Sequence, residues 1–314
     1  MKNRVLVTGA TGFVGSNLVR RLVKEGYEVH ILTRKTSNMW RLKDIYSSLI
    51  DHKVDLSDKD DLLNAVTKIN PNNICHLAIY GGYPSQNEDE KILKTNLNGT
   101  INLLSALEGI DYDCFINTGS SSEYGKKEFI MKETDICEPN TVYGIAKLSS
   151  TLYCNHISAK ENKNIGTIRL FSVYGDYEEK GRLIPTLFIN LLNGENVKLG
   201  NPVAVRDFVY IDDVVEAYIS ILKNPEKIKG KIFNISSGNQ ISIGEISEKV
   251  KSILNSSCFL DFGNLSGRTF DSTTWLGDSS LFRETFNWTP KKIDEGLKKS
   301  AEWFSKNLNL YKEV

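Results

Sequence analysis

The sequence predicts an α/β protein in which a doubly wound parallel sheet is joined to a smaller, mixed C-terminal lobe. Over residues 1–170, short apolar runs alternate with amphipathic stretches, and strand-helix-strand units repeated at this rhythm build a parallel sheet. A glycine-rich segment follows the first apolar run directly and leads into the first amphipathic stretch. From Gly175 onward the rhythm breaks into a region punctuated by glycine and proline, which predicts the mixed lobe.

The strands are predicted where short, mainly apolar runs occur, as in the buried strands of a parallel sheet. They are expected at Arg4–Thr8, Glu28–Thr33, Asn73–Leu77, Cys114–Thr118 and Ile165–Leu170. The first helix is predicted over Val14–Lys24, because Val14, Leu18 and Leu22 share one face and the basic residues lie off it. A further strand and helix are expected over Phe208–Leu222.

Composition places the chain among ordinary globular proteins and argues against several other classes. The chain has 40% hydrophobic and 25% charged residues, and its 39 basic and 39 acidic residues cancel. No net charge therefore attracts nucleic acid or an anionic membrane. The five cysteines are scattered without a CxxC pair, which favours reduced thiols over disulfides or a zinc site. Neither a signal peptide nor a membrane helix is indicated, so we expect a cytoplasmic protein.

The glycine-rich segment Gly9–Gly15 indicates a dinucleotide site. Glycines after a first strand permit a tight turn and let backbone N–H groups approach a pyrophosphate, whose charge the following helix N-terminus stabilises. A plain glycine turn is the alternative. The cofactor-binding residues expected here are Gly9, Thr11, Gly12, Phe13, Val14 and Gly15. Residues 1–175 are predicted to form a Rossmann-like dinucleotide-binding domain, with a returning strand-helix unit near 205–224, and residues 176–314 mainly a substrate-binding lobe.

The end of the second strand predicts which dinucleotide binds. A carboxylate at this place hydrogen-bonds the ribose 2′-hydroxyl of NAD, whereas an arginine accommodates the 2′-phosphate of NADP. Here the strand ends in Thr33, Arg34 and Lys35, without an acid. Thr33 can donate a hydrogen bond and Arg34 can form a charge-assisted pair, so we expect NADP(H). The alternative is a solvated arginine with NAD(H) bound.

Three residues are candidates for catalytic proton transfer: Ser120, Tyr143 and Lys147. Tyr143 and Lys147 are four residues apart in a predicted helix and therefore share a face. A nearby ammonium and the cationic ring of an oxidised nicotinamide favour the phenolate, which lowers a tyrosine pKa from about 10. Ser120 follows the strand ending at Thr118, at the edge where open α/β sheets bind ligands, and its hydroxyl can hold a substrate oxygen. A serine-rich loop that only caps its own turn is the alternative.

The glycine segment and these three residues resemble the extended short-chain dehydrogenase/reductase family, and in particular its NAD-dependent epimerase/dehydratase group, which acts on nucleotide sugars. Further segments match the family's motifs in the family's order: Val54–Leu56, His76–Ala78, Thr95–Thr100, Arg169–Gly175, Arg206–Val214 and Phe233–Gly238. The resemblance implies a homodimer. It also implies that the dinucleotide is contacted by Asp55, Leu56, Leu77, Ala78, Asn96, Tyr143 and Lys147.

The resemblance extends to residues that bind the substrate, a nucleotide sugar. Arg206 and Arg268 resemble the arginines that hold the diphosphate, and Asp271 resembles the acid that meets the nucleotide ribose. Guanidinium forks suit this role because two parallel N–H donors match two phosphate oxygens. For Arg206 the alternative is an ion pair with Asp207 or Asp213, and for Arg268 it is a solvated position in a loop.

Three serines expected to bind the substrate, Ser121, Ser122 and Ser172, depart from patterns of the family. The 4,6-dehydratases have Asp and Glu in place of Ser121 and Ser122, which argues against dehydration here. No cysteine follows Ser120 shortly, as it does in the bifunctional epimerase-reductases, which argues against C3/C5 epimerisation. Ser172 stands where many members have asparagine, so the contacts of the sugar pocket are expected to differ.

The segment Leu77–Tyr83 is most similar to the 4-keto-6-deoxyhexose reductases, such as CDP-abequose and CDP-paratose synthases. Together with NADP(H), this similarity implies NADPH-dependent reduction of a nucleotide-linked 4-keto-6-deoxy sugar at C4, in a pathway to surface glycans. Two alternatives stay open. One is a nucleotide-sugar 4-epimerase or 4-dehydrogenase with tightly bound NAD, and the other is a protein that binds dinucleotide without turnover. The nucleotide base, the size of the sugar and the stereochemistry at C4 are not predicted.

Overall fold

The computed structural model describes residues 3–83, 85–263 and 273–312. The strands in these ranges are β1 Arg4–Thr8, β2 Glu28–Thr33, β3 Ile50–Lys53, β4 Asn73–His76, β5 Cys114–Ser120, β6 Ile165–Leu170, β7 Ser172–Tyr174, β8 Val197–Leu199, β9 Val205–Tyr210, β10 Ile232–Ile235, β11 Gln240–Ser242 and β12 Leu260–Phe262. The α-helices are α1 Phe13–Lys24, α2 Lys59–Ile69, α3 Asp89–Leu93, α4 Gly99–Ala106, α5 Val142–Glu161, α6 Leu183–Leu192, α7 Ile211–Lys223, α8 Ile243–Ile253, α9 Ser280–Phe286 and α10 Ile293–Asn307. A π-helical turn, Lys94–Asn98, joins α3 to α4.

The largest layer is a parallel sheet of seven strands in the order β10-β6-β5-β4-β1-β2-β3. Successive residues of β1 are buried on opposite faces: Val5 and Val7 pack with α1 and α7, and Leu6 packs with α2, α4 and α5. The doubly wound fold is therefore confirmed. The strand order reverses between β1 and β4, and the crevice at the carboxyl ends of these strands is where such sheets bind ligands.

The second layer is smaller and mixed, as predicted. In a three-stranded sheet, β9 pairs in parallel with β7 and antiparallel with β11, while β8 and β12 form a separate parallel pair. Helices α6, α8 and α10 pack against one another beside these strands. No helix in the described ranges is long and apolar enough to cross a membrane.

The strand-helix unit near 205–224 is divided between the two layers. Helix α7 packs against α1 over the large sheet. Strand β9 belongs to the small sheet, because β7 turns away from the large sheet and pairs with β9. The strand that returns to the large sheet is β10, which pairs with β6. The domain boundary near residue 175 stays a prediction.

Candidate active site

A cavity of about 1470 Å³ opens at the carboxyl ends of β1 and β4. One side is formed by the segments that follow β1, β2 and β4, by the end of β5 and by the start of α5. The other side is formed by the start of α6, by β8 and β9 and by Trp275. The cavity therefore lies between the large sheet and the small layer.

The glycine segment forms a cradle of backbone on the first side of the cavity. Gly9 has a φ of +70°, and a Cβ there would lie 2.4 Å from the carbonyl oxygen of Leu77. A Cβ on Gly15 would lie 2.2 Å from the carbonyl oxygen of Gly9. The N-cap of α1, Gly12, provides no side-chain cap, so the helix N-terminus is available to an anion. The residues present thus fit a dinucleotide pyrophosphate, and the lining includes all six predicted here: Gly9, Thr11, Gly12, Phe13, Val14 and Gly15.

The adenosine end of the predicted site differs in one respect from expectation. The lining includes Thr33, Arg34, Asp55, Leu56, Leu77 and Ala78. The hydroxyl of Thr33, however, donates to Asp51 Oδ1 at 2.6 Å and accepts from Lys53 Nζ at 2.9 Å. Its proton is therefore not available to a 2′-phosphate, and Arg34 is left as the predicted contact. Asp51 was missed because it comes from β3, whereas the sequence motif concerns only the end of β2.

The predicted catalytic side chains come from two neighbouring elements. Ser120 is the last residue of β5, and Tyr143 is the second residue of α5, which is capped by a hydrogen bond from Gly144 N–H to Thr141. Burial raises the pKa of Tyr143 to about 12, while a hydrogen bond with Ser120 and the charge of Arg182 oppose that rise. Ser120 and Tyr143 thus line the same part of the cavity wall.

Lys147 lies one helical turn beyond Tyr143 and is only 2% exposed. Burial lowers the pKa of Lys147, and the charge of Glu123 opposes that effect. Among the described residues, those that line the cavity do not include Lys147. Its predicted contact with the dinucleotide stays a prediction.

Ser120 is held by a buried carboxylate that the sequence analysis did not single out. Glu123 Oε1 accepts from the Ser120 N–H at 2.8 Å, and Ser120 Oγ accepts from the Ser122 N–H at 3.1 Å. Glu123 Oε2 accepts from Arg169 Nε at 2.8 Å, and both side chains are almost fully buried. Ser120 therefore caps its own turn and contacts Tyr143 at the same time. The signal was present as a Ser-x-x-Glu capping box.

Asn96 has a structural position that corrects the expectation of a dinucleotide contact. Its amide accepts from Tyr80 N–H at 2.9 Å and donates to the Tyr80 carbonyl at 2.7 Å, and it is buried. Asn96 is not among the described residues that line the cavity. It fixes the backbone after β4 instead, because both polar atoms of its side chain are used by Tyr80.

On the substrate side, Ser121, Ser122, Ser172 and Arg206 all line the cavity. The guanidinium of Arg206 lies 5.7 Å from the centre of the Trp275 ring. The two acids considered as its partners have other contacts: Asp207 accepts from Ser237, Gly238 and Gly277, and Asp213 pairs with Lys291. The predicted residues Arg268 and Asp271 lie outside the described residues.

Several charged lining residues were missed, because they lie in segments without a recognisable motif. Arg41 is buried, donates to the Tyr177 carbonyl at 2.7 Å and pairs with Glu179 at 2.6 Å. Glu178 is also buried, and burial raises its pKa to about 8 against the opposing charges of Arg182 and Arg41. These side chains make the second side of the cavity more polar than the sequence indicated.

Comparisons with known proteins cover almost the whole chain. The family model described as "NAD dependent epimerase/dehydratase family" matches residues 5–236. The UDP-N-acetyl-alpha-D-glucosaminuronate decarboxylase of Bacillus cytotoxicus is 28% identical, over 97% of this chain and 98% of the relative. The CDP-abequose synthase of Salmonella muenchen is 26% identical, over 95% and 97%.

A similar solved structure is that of UDP-glucuronic acid 4-epimerase from Bacillus cereus in complex with UDP-glucuronic acid and NAD. It is 26% identical in sequence, with a TM-score of 0.85 over 96% of this chain and 99% of that chain. The fold thus agrees with that of a group of proteins whose names describe several different reactions.

Proposed function

The chain belongs to the NAD-dependent epimerase/dehydratase family, and on that basis we propose that it is an oxidoreductase acting at C4 of a nucleotide-linked sugar. The specific reaction we propose is the NADPH-dependent reduction of a 4-keto-6-deoxy sugar. The observation that carries the proposal is that Ser120 and Tyr143 line the same cavity as the glycine cradle, where Ser120 acts to lower the pKa of Tyr143. A hydride donor and a proton donor can therefore act on the same substrate.

The side chains divide the proton chemistry between them. A bound dihydronicotinamide supplies the hydride. Tyr143 gives its proton to the oxygen that becomes the C4 hydroxyl, and a phenolate remains. Ser120 is oriented for this step, because its oxygen accepts from the Ser122 N–H and its hydroxyl proton is left to donate to the oxygen of Tyr143 or of the substrate. Lys147 follows one turn away; burial lowers its pKa, and the charge of Glu123 partly offsets that effect in favour of the ammonium form.

The proposed substrate side supports a nucleotide diphosphate. Arg206 presents a guanidinium to the cavity beside the Trp275 ring, and these two groups can bind a phosphate and a flat base or sugar face respectively. In the turn after Ser120, the residues that line the cavity are Ser121 and Ser122, and neither is a carboxylic acid. This supports reduction over dehydration. The homodimer, the cytoplasmic location and the role in glycan synthesis stay predictions.

A second candidate, a 4-epimerase or 4-dehydrogenase with retained NAD, is favoured by a specific finding. The Bacillus cereus 4-epimerase was solved with NAD, and Thr33 here makes no hydrogen bond available to a 2′-phosphate. Identifying the dinucleotide released by acid from the purified protein separates the candidates. Retained NAD supports the second candidate, whereas a protein that is purified without a dinucleotide and binds added NADPH supports the first.

The proposed role of Tyr143 is tested by Tyr143→Phe, with Tyr153→Phe on the same helix as the matched control. We expect Tyr143→Phe to lose at least about 100-fold in kcat for NADPH oxidation with nucleotide-linked 4-keto-6-deoxy sugars, because a general acid contributes about that factor or more. Tyr153→Phe should retain the wild-type rate. Turnover by Tyr143→Phe close to that of the wild type would contradict the mechanism.

A further inference from the structure

The segment Tyr80–Tyr83, here called the tyrosine-glycine loop, has no role in the mechanism described so far. Its backbone is held by two buried or half-buried amides. Asn96 binds both the N–H and the carbonyl of Tyr80, and Gln86 Oε1 accepts from the Gly81 N–H at 2.9 Å. A loop fixed in this way is a rigid support for the groups that contact it.

The loop connects Tyr143 with an arginine from the opposite side of the cavity. A Cβ on Gly81 would lie 3.4 Å from Cδ2 of Tyr143, so the loop backbone packs against the catalytic ring. Arg182 Nη2 donates to the carbonyl of Gly82 at 3.2 Å, and its guanidinium lies 5.0 Å from the centre of the Tyr83 ring. The tyrosine-glycine loop and Arg182 line the same cavity as Tyr143.

The positive charge of Arg182 is not neutralised by an ion pair with a carboxylate in the described part of the chain. The charge of Arg182 acts on the buried Glu178, but burial raises the pKa of Glu178 to about 8, so that its carboxyl is largely protonated near neutral pH. Arg182 therefore keeps its charge beside the catalytic tyrosine. A charge in a partly buried site acts over a longer range than one in water.

We propose that Arg182 is a second cation of the site, held by the tyrosine-glycine loop, which stabilises the phenolate of Tyr143. The inference rests on the proposed function. When the O–H bond of Tyr143 breaks and the new O–H bond forms on the substrate, negative charge moves to the phenol oxygen. The guanidinium of Arg182 then stabilises that negative charge from the start of α6, and the ammonium of Lys147 stabilises it from within α5. Arg182 acts through Tyr143 and is thus a positioning residue.

Several other groups act on the pKa of Tyr143, and the experiment must separate their effects from that of Arg182. Burial, Glu123 and Tyr83 raise the pKa of Tyr143, whereas the hydrogen bond with Ser120 and the charge of Arg182 lower it. Lys147 follows one turn later in α5. Removal of Arg182 alone should therefore raise the pKa of Tyr143, because the remaining neighbours are unchanged.

The test is a pH titration of tyrosinate ultraviolet absorbance with NADP⁺ or NAD⁺ bound, from which the same titration of Tyr143→Phe is subtracted. We expect Arg182→Gln to move the Tyr143 midpoint upward by about one pH unit, as a single charge at intermediate dielectric would. Arg182→Lys, which restores the charge, should titrate close to the wild type. Lys160→Gln removes the same charge about 25 Å away along α5 and should cause no shift.

The titration needs no substrate, so it is independent of whether the proposed reaction is correct. An Arg182→Gln midpoint equal to that of the wild type would overturn the inference, and so would an equal shift in Lys160→Gln. If the proposed reaction fails for every nucleotide sugar but the Arg182→Gln shift is observed, the proposed function is wrong and the inference on the charge stands. Where turnover is found, the pH limb of kcat assigned to Tyr143 should shift in the same direction.

Discussion

Two sides of the cavity are constructed in different ways. The dinucleotide wall, Gly9–Gly15 with Leu77, is formed by backbone atoms that approach so closely that a Cβ does not fit. The substrate wall, residues 178–186 and 198–206, consists of side chains such as Arg182 that are held by partners distant in sequence. Backbone packing requires particular residue types at consecutive positions, whereas side-chain contacts across the fold do not. The first wall can therefore be predicted from the sequence, whereas the second, apart from Arg206, was not.

The largest expected effect tests the backbone character of the dinucleotide wall. Gly9→Ala places a Cβ 2.4 Å from the Leu77 carbonyl oxygen at a φ of +70°. We expect a loss of about 4 kcal/mol in the free energy of unfolding, because a backbone clash is added to the strain of a left-handed residue. Dinucleotide binding should be lost in the same variant. Urea unfolding and calorimetric titration with NADP⁺ or NAD⁺ measure the two effects.

Gly26→Ala is the matched control for this substitution. Gly26 also has a positive φ, +85°, but a Cβ there would meet no atom within 4 Å. It should cost only about 1 kcal/mol, the strain of the left-handed conformation alone, and leave dinucleotide binding intact. If Gly9→Ala and Gly26→Ala were equally stable and equally able to bind, the dinucleotide wall would not depend on close backbone approach.

The parts of the fold predicted correctly are those fixed by local pattern. The strands Arg4–Thr8, Glu28–Thr33 and Ile165–Leu170 have the predicted bounds, and the first two end at a threonine that precedes Gly9 or Arg34. Ser120 and Tyr143, which were predicted as catalytic residues, both line the cavity, and their catalytic roles stay predictions.

The parts that could not be predicted depend on tertiary contacts. Glu123 was missed because its partner Arg169 is on another strand, although the capping box itself was visible. Asn96 was assigned to the dinucleotide from a motif, yet its amide is used by Tyr80. Arg182 carries no motif, and its position follows only from its contact with the carbonyl of Gly82.

A second prediction tests the electrostatics of the substrate wall through pH. Glu178 is protonated in the folded protein up to a pKa of about 8, compared with an ordinary value of 4.5. The unfolded chain releases that proton at lower pH, so the wild type loses stability as pH rises through this interval. Glu178→Gln has no carboxyl to titrate, so it does not lose stability in this way. We expect its stability relative to the wild type to increase by about 3.5 kcal/mol between pH 5 and pH 8, as measured by urea unfolding.

The same substitution at Glu245 provides the control. Hydrogen bonds from the Ser242 N–H and hydroxyl lower the pKa of Glu245, which is the opposite direction. Glu245→Gln should therefore gain no stability over the wild type as pH rises through the interval. A flat difference between Glu178→Gln and the wild type would mean that Glu178 is ionised in the folded protein. The charge of Arg182 would then be neutralised, and the substrate wall would be less basic than described.

The smallest expected effect concerns Arg34, a side chain that lines the cavity on the same side as the dinucleotide wall. Arg34 is exposed, and close backbone packing does not fix it. If its guanidinium binds a 2′-phosphate, Arg34→Leu should weaken NADPH binding about tenfold, or about 1.4 kcal/mol, and leave NADH binding unchanged. Lys35→Leu removes the neighbouring charge, which does not line the cavity among the described residues, and should change neither affinity. Because the Thr33 hydroxyl donates to Asp51, it cannot contact the 2′-phosphate and so cannot compensate for the lost contact of Arg34. An unchanged ratio of the two affinities in Arg34→Leu would favour the NAD-retaining 4-epimerase, and it would mean that a side chain on the dinucleotide wall is as poorly predicted from sequence as those of the substrate wall.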